Sequence, residues 1–182
     1  MIVFTEGRLV DEPLELRLER VIEKYNPKSI VLREKYLSDA EYMDIAKKVI
    51  KITSENKVDL YLNRVSIAKI LGVKNIHLSF RELTIFNDYD YFLDISCSVH
   101  SVEEAREAFK KGVNRLVTGH IFKTDCKKDL EPRGLEYLKS VVNSVDIPVC
   151  AIGGINRENY SLCLGVGAND FCIMSSAMTL KF

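Results

Sequence analysis

Short apolar runs alternate eight times with longer amphipathic stretches, and this rhythm limits more than any other feature what the chain can fold into. The runs are IVFT (2 to 5), SIVLR (29 to 33), VDLYL (58 to 62), NIHLS (75 to 79), YFLDISCS (91 to 98), RLVTG (115 to 119), PVCAIG (148 to 153) and DFCIMS (170 to 175). Runs this short and this continuously apolar read as parallel strands buried under helices. Between them lie helical stretches such as 38 to 54, where Ala40, Met43, Ile45, Ala46, Val49, Ile50 and Ile52 recur at helical spacing. Ser101 with Glu104 three residues later predicts a capping box and a helix start just after His100. Pro148 opens its run, where a missing N–H is tolerated.

Eight strands joined by seven connections, right-handed by default, argue for a closed (β/α)8 TIM barrel rather than an open sheet. The α/β barrel is expected to be small, a single domain over 1 to 182. The fourth connection, FRELTIFNDYD, is a poor helix, and only SAMTLKF follows the eighth run, so the last helix is expected to be absent or reduced to a turn. An apolar strip left uncovered there favours a second copy of the chain, a homodimer.

Lys and Arg total 26 and Asp and Glu 26, so no global field of either sign draws nucleic acid or an anionic membrane. Charged ligands must be held locally. The five cysteines form no CxxC pair, and Cys97, Cys150 and Cys172 lie in apolar runs, which fits reduced, buried thiols. No basic, apolar leader opens the chain, and no window reaches about 18 uninterrupted apolar residues. A soluble, cytoplasmic protein is expected.

In such a barrel the chemistry sits where strands end. After the seventh run come Gly153 and Gly154, which let backbone approach a ligand, and after the eighth Ser175 and Ser176, which open a short helix. This pairing is where these barrels commonly hold a phosphate. After the second run stand Arg33 and Lys35; if the strand continued through them they would share a face and meet a carboxylate or phosphate together. The alternative is a solvated charge cluster. After the fifth run comes His100, and after the sixth the loop GHIFKTDCKK, beginning Gly119-His120. Neighbouring strand ends lie about 5 Å apart, so the two histidines can share a cavity, and imidazole is the side chain best matched to proton transfer near neutral pH. His77, inside its run, reads as structural. A carboxylate-built Mg²⁺ site lacks its acids after the third and fourth runs, and a zinc site of His100, His120 and Cys126 has no supporting spacing. No metal and no cofactor are expected.

The stretches SVHSVEEA, GHIFKTDCKK, RGLEYL, IPVCAIGGI and GANDFCIMSSAM resemble the TenI family of thiazole tautomerases, close relatives of thiamine-phosphate synthase. The resemblance is strong over 94 to 178 and extends, more weakly, from SIVLREKYLS through LNRVSIAKIL. In the synthases, magnesium is held by aspartates after the third and fourth strands; here the matching patterns read Leu62-Asn63-Arg64 and SFREL, without those aspartates. Val31 stands where the synthases carry glutamine, His120 where they carry proline, and Cys126 where they carry threonine.

The resemblance implies isomerisation of a carboxythiazole phosphate tautomer to its aromatic form, with no metal. His120 matches the family's acid/base and His100 a second active-site histidine. Arg33, Lys35, Ser98, Thr124 and Lys127 match pocket positions, with Arg33 or Lys127 placed to hold the substrate carboxylate. Gly153, Gly154, Ser175 and Ser176 would bind the phosphate, and the segment from Thr124 to Lys128 would fold over it. Two alternatives stay open, thiamine-phosphate synthase activity and a non-catalytic, thiazole-phosphate-binding regulatory protein. Balanced charge and the lack of a helix-turn-helix pattern speak against direct DNA binding.

Overall fold

A computed structural model describes residues 1 to 127 and 129 to 181; Lys128 of the predicted loop lies outside them. Its eight strands are parallel and follow one another in chain order around a closed barrel. They are β1 Ile2–Phe4, β2 Ser29–Leu32, β3 Asp59–Leu62, β4 Asn75–Ser79, β5 Asp94–Val99, β6 Arg115–Gly119, β7 Val149–Ile152 and β8 Asp170–Ile173. The helices are α1 Leu14–Tyr25, α2 Asp39–Glu55, α3 Val65–Leu71, α4 Phe80–Thr84, α5 Val102–Lys110, α6 Gly134–Val142, α7 Tyr160–Gly165 and α8 Ser175–Met178. Every predicted run holds its strand, and α8 is the expected single turn. No helix among the described residues is long and apolar enough to cross a membrane.

The boundary that differs most from its predicted run is the start of β5. The sequence pattern predicts strand from Tyr91, yet β5 begins at Asp94, and Tyr89–Tyr91 form a 3-10 turn. The aromatics there pack on one another instead of pairing: Phe86 and Tyr89 have ring centroids 4.9 Å apart, as do Tyr91 and Phe92. Edge-to-face contact of this kind holds the rings together without any strand pairing.

The chain divides into two compact units, Met1–Ile76 with Met174–Phe182, and His77–Ile173. In the first, β1, β2 and β3 pair in register, Val3 opposite Ile30 and Ile30 opposite Leu60. Ser38 and Glu41 close a reciprocal capping box at the start of α2. The buried Tyr42 of α2 donates its hydroxyl to the Leu32 carbonyl at 2.8 Å and accepts the Asn63 N–H at 3.2 Å, joining α2 to the ends of β2 and β3. Burial pushes that phenol well above its ordinary range. On α1, the buried Arg17 bonds Glu12 at 2.5 Å, Asp11 at 3.1 Å and the carbonyl of Met178, which fastens α8 to α1.

In the second unit β5, β6, β7 and β8 pair in register, Val117 opposite Ser98 on one side and Cys150 on the other. Ala105 and Ala108 of α5, Leu138 and Val141 of α6 and Cys163 of α7 are buried, as the apolar stripe of a covering helix requires.

Candidate active site

The second unit carries both histidines singled out from the sequence. His100 follows β5 directly and Ser101 caps α5, its hydroxyl accepting the Glu104 N–H at 3.1 Å. The predicted box is only half closed: the Glu104 carboxylate reaches past Ser101 and accepts the N–H of His100 at 2.7 Å. That bond fixes the backbone of the histidine, while its Nδ1 lies 3.2 Å from the Gly119 carbonyl oxygen at the end of β6.

His120 follows Gly119 through a cis peptide and is 6% exposed. The chain continues alongside the end of β7, with the N–H of Ile121 donating to Ile152 at 3.0 Å and that of Phe122 to Gly153 at 3.0 Å. It returns at Arg133, whose N–H donates to the His120 carbonyl at 3.0 Å, and at Gly134, bonded to Ile121 at 3.1 Å. The His120 side chain places Nε2 3.3 Å from the Leu130 carbonyl. A carbonyl oxygen can only accept, so the hydrogen-bond network assigns the proton to Nδ1 of His100 and Nε2 of His120. In the neutral rings, Nε2 of His100 and Nδ1 of His120 are the basic nitrogens.

Both histidines line one cavity of about 560 Å³, with Lys127, Leu130, Glu131, Pro132 and Arg133. Arg133 and Glu131 were not singled out from the sequence. The signal available was the charged EPRG stretch between the loop and α6, which reads alone as a turn.

The other predicted residues divide. Lys127 is on the cavity. The Thr124 hydroxyl instead accepts the Cys126 N–H at 3.4 Å, opening the 3-10 turn Asp125–Lys127, and Thr124 is not part of the lining. Ser98 accepts or donates to Nε2 of the buried His77 at 2.8 Å, and Ser96 meets Nδ1 of the same ring at 3.0 Å. His77 is structural in that sense, yet it holds the hydroxyl of a predicted binding residue.

Gly153 and Gly154 were expected to clear room for a ligand. Both have positive φ, +100° and +67°, and a Cβ at either would strike the loop itself: at Gly153 the Cα of His120, 2.6 Å away, and at Gly154 the carbonyl oxygen of Phe122, also 2.6 Å away. Their missing side chains are accounted for by the packing of the loop after β6.

In the first unit, β2 ends at Leu32, so the strand does not continue through Arg33 and Lys35 as a shared face would need. Glu34 between them is fully buried and accepts the Gly7 N–H at 2.8 Å, which draws the chain out of strand geometry. Burial and the Glu34 charge push the nearby Tyr36 phenol up to about 12. Arg33 is partly exposed and Lys35 exposed. Ser175 and Ser176 are partly exposed at the start of α8.

The synthases' magnesium positions do not fit that ion here. Asn63 presents a neutral amide whose Oδ1 is buried without a hydrogen-bond partner. The Glu82 carboxylate accepts both the N–H and the hydroxyl of Ser79, each at 2.7 Å, as the cap of α4. Among the described residues no three His, Cys, Asp or Glu side chains gather as a metal cluster.

Residues 1–177 match the family described as thiamine monophosphate synthase, TMP-TENI. The chain belongs to this family. It is 34% identical to the thiamine-phosphate synthase of Clostridium acetobutylicum over 156 residues, covering 84% of this chain and 74% of the relative. With the thiamine-phosphate synthase of Pyrococcus horikoshii the identity is 36% over 153 residues, 82% of this chain and 74% of the relative. Among solved structures, a thiamine phosphate pyrophosphorylase from Pyrococcus furiosus superposes with a TM-score of 0.85 at 32% identity, covering 97% of this chain and 86% of that one.

Proposed function

We propose that this chain is an enzyme of thiamine biosynthesis, and that its reaction is the isomerisation of a carboxythiazole phosphate tautomer to the aromatic thiazole. The observation that carries the reading is the pair of imidazoles on one cavity, each with a carbonyl on one nitrogen and the other nitrogen left basic. The isomerisation removes a proton from ring carbon C2 and adds one at the exocyclic carbon. Nδ1 of His120 would take the first proton, and the imidazolium so formed would return one to the second carbon, with His100 sharing or orienting it. Positioned acid/base catalysis of this kind contributes about 10²- to 10⁴-fold, and aromatisation makes the step downhill. Gly153, Gly154, Ser175 and Ser176 keep in this reading the phosphate role that the sequence assigns them, and Arg33, Lys35, Ser98, Thr124 and Lys127 a part in substrate binding. No step needs a metal, in keeping with the amide at Asn63 and the engaged carboxylate of Glu82.

The test is His120→Asn, an uncharged side chain without a titrating nitrogen. Isomerisation is expected to fall by at least about 10²-fold while the variant still binds the aromatic thiazole phosphate. An undiminished rate would overturn the reading.

A second reading is thiamine-phosphate synthase, and the names of the relatives favour it directly. It predicts coupling of a pyrimidine pyrophosphate to thiazole phosphate with release of pyrophosphate, abolished by EDTA. Incubating the wild-type chain with both substrates and Mg²⁺ separates the two: pyrophosphate release without isomerase activity selects the synthase.

A further inference from the structure

Arg133 has no role assigned in the reaction above, yet its surroundings are unusually well determined for an exposed arginine. Its backbone N–H holds the carbonyl of His120 at 3.0 Å. Its guanidinium carbon lies 5.0 Å from the ring centroid of Tyr137, within cation–π range of a face that restricts its rotamers. Tyr137 is fixed in turn. The Thr118 hydroxyl donates to the Val99 carbonyl at 3.2 Å, so it accepts from the Tyr137 hydroxyl at 2.7 Å. Val99 is the residue before His100. Arg133 is therefore tied by backbone to one cavity histidine and, through Tyr137, Thr118 and Val99, to the chain that carries the other.

The same residue lines the cavity with Lys127, and among the described residues of the lining Glu131 supplies the one carboxylate. The two basic side chains and two imidazoles make this end of the cavity a place for an anion. The two cations differ in kind: the ammonium of Lys127 is a compact point charge, whereas the guanidinium presents two parallel N–H groups that match the two oxygens of a carboxylate. We propose that Arg133 is the specificity-determining residue of this site, recognising the ring carboxylate of the substrate, so that the cavity discriminates carboxylated from uncarboxylated thiazole phosphates. This inference rests on the reading of the cavity as a thiazole-phosphate site. It moves the carboxylate contact from Arg33 or Lys127, where the sequence put it, to a residue bonded through its backbone to His120 on the cavity that both histidines line. A carboxylate gripped there fixes the ring plane relative to Nδ1 of His120, which proton transfer at two separate carbons requires.

The experiment is calorimetric titration of the aromatic carboxythiazole phosphate and its decarboxylated counterpart into wild type, Arg133→Gln and Arg133→Lys. Wild type is expected to prefer the carboxylated ligand. Arg133→Gln is expected to lose about tenfold to a hundredfold in affinity for it, the range for a hydrogen bond to a charged group, with the decarboxylated ligand unaffected. Arg133→Lys, which keeps the stem and the charge and serves if the glutamine variant does not fold, should lose most of the preference. A wild type without preference, a preference that survives in the variants, or equal weakening of both ligands would overturn the proposal. A wild type that shows the preference but does not isomerise would sink the tautomerase reading alone.

Discussion

A Cβ placed on Gly153 would stand 2.6 Å from the Cα of His120, so the end of β7 and the residue after β6 occupy space that only a glycine leaves open. Gly153→Ala combines this collision with a φ of +100° that L side chains rarely adopt. Gly72 supplies a control, because its φ is +72° but nothing lies within 4 Å of its missing Cβ. Gly72→Ala is expected to cost about 1 kcal/mol from φ alone, and Gly153→Ala clearly more, with the proposed isomerisation lost as His120 is displaced. Thermal unfolding midpoints of the two variants, read with their activities, check both statements.

Thiol reactivity should separate one cysteine from four. Cys126 is exposed, whereas Cys97, Cys150, Cys163 and Cys172 are buried. Burial pushes the thiol of Cys97 up to about 12 and that of Cys163 up to about 11, so neither supplies thiolate near neutral pH. Native protein should therefore react with a chromogenic disulfide at one thiol quickly, and at all five only in denaturant. Cys126→Ser should abolish the fast phase. Two fast equivalents in the native wild type would contradict the burial.

Acid should weaken the contact between α1 and α2. The Glu15 carboxyl is held below the ordinary glutamate range, first by its hydrogen bond to Lys48 at 2.6 Å, against a smaller opposing effect of burial. A depressed folded pKa means stability that is present above the unfolded value, near 4.3, and lost as pH falls through the folded one. The pair is partly exposed, so the contribution is only about 0.2–1 kcal/mol. Urea midpoints of wild type and Glu15→Gln are expected to differ at pH 7 and to converge at pH 3. A gap that widens towards acid would reverse the sign of this linkage.

The strands were legible because their signals are local. Asn75–Ser79 and Arg115–Gly119 begin and end where the sequence puts them, each with two apolar residues inside and a small residue at its end. Tyr91 to Leu93 misled because an aromatic run satisfies a strand pattern equally well when its rings pack on each other. His100 and His120 could be found because each stands next to a strand end, and adjacent strand ends converge in any parallel barrel. Arg133 could not. Its place on the cavity depends on the loop from Ile121 folding back along β7 and returning to bond His120 and Ile121, a long-range closure with no local periodicity. Gly153 and Gly154 read in the sequence as points where backbone approaches a ligand, and in the fold the chain's own loop also approaches them.

Arg17 provides a test of how α8, a single turn, stays in place. Its side chain is 10% exposed, and it bonds Glu12, Asp11 and the Met178 carbonyl at once. Lys24 adds a bond to the Leu180 carbonyl at 2.8 Å from the next turns of α1. Asp11 is nearly fully exposed and contributes little by charge, so the weight falls on Glu12 and the carbonyl. Arg17→Met keeps the apolar stem but removes one of the two guanidinium partners of Glu12, which retains Arg20 at 3.0 Å, and leaves the Met178 carbonyl without this donor. The expected loss is about 2 kcal/mol, within the range for buried groups deprived of a charged hydrogen-bond partner. Because the bond joins α1 to α8, the loss should be local before it is global. The amides of Met178, Thr179 and Lys181, which donate to Met174, Ser175 and Ser176, should exchange with deuterium faster in the variant. Those of β2 should change only as far as global stability falls. Uniform acceleration across the first unit would show that Arg17 supports the whole unit, with no special hold on α8.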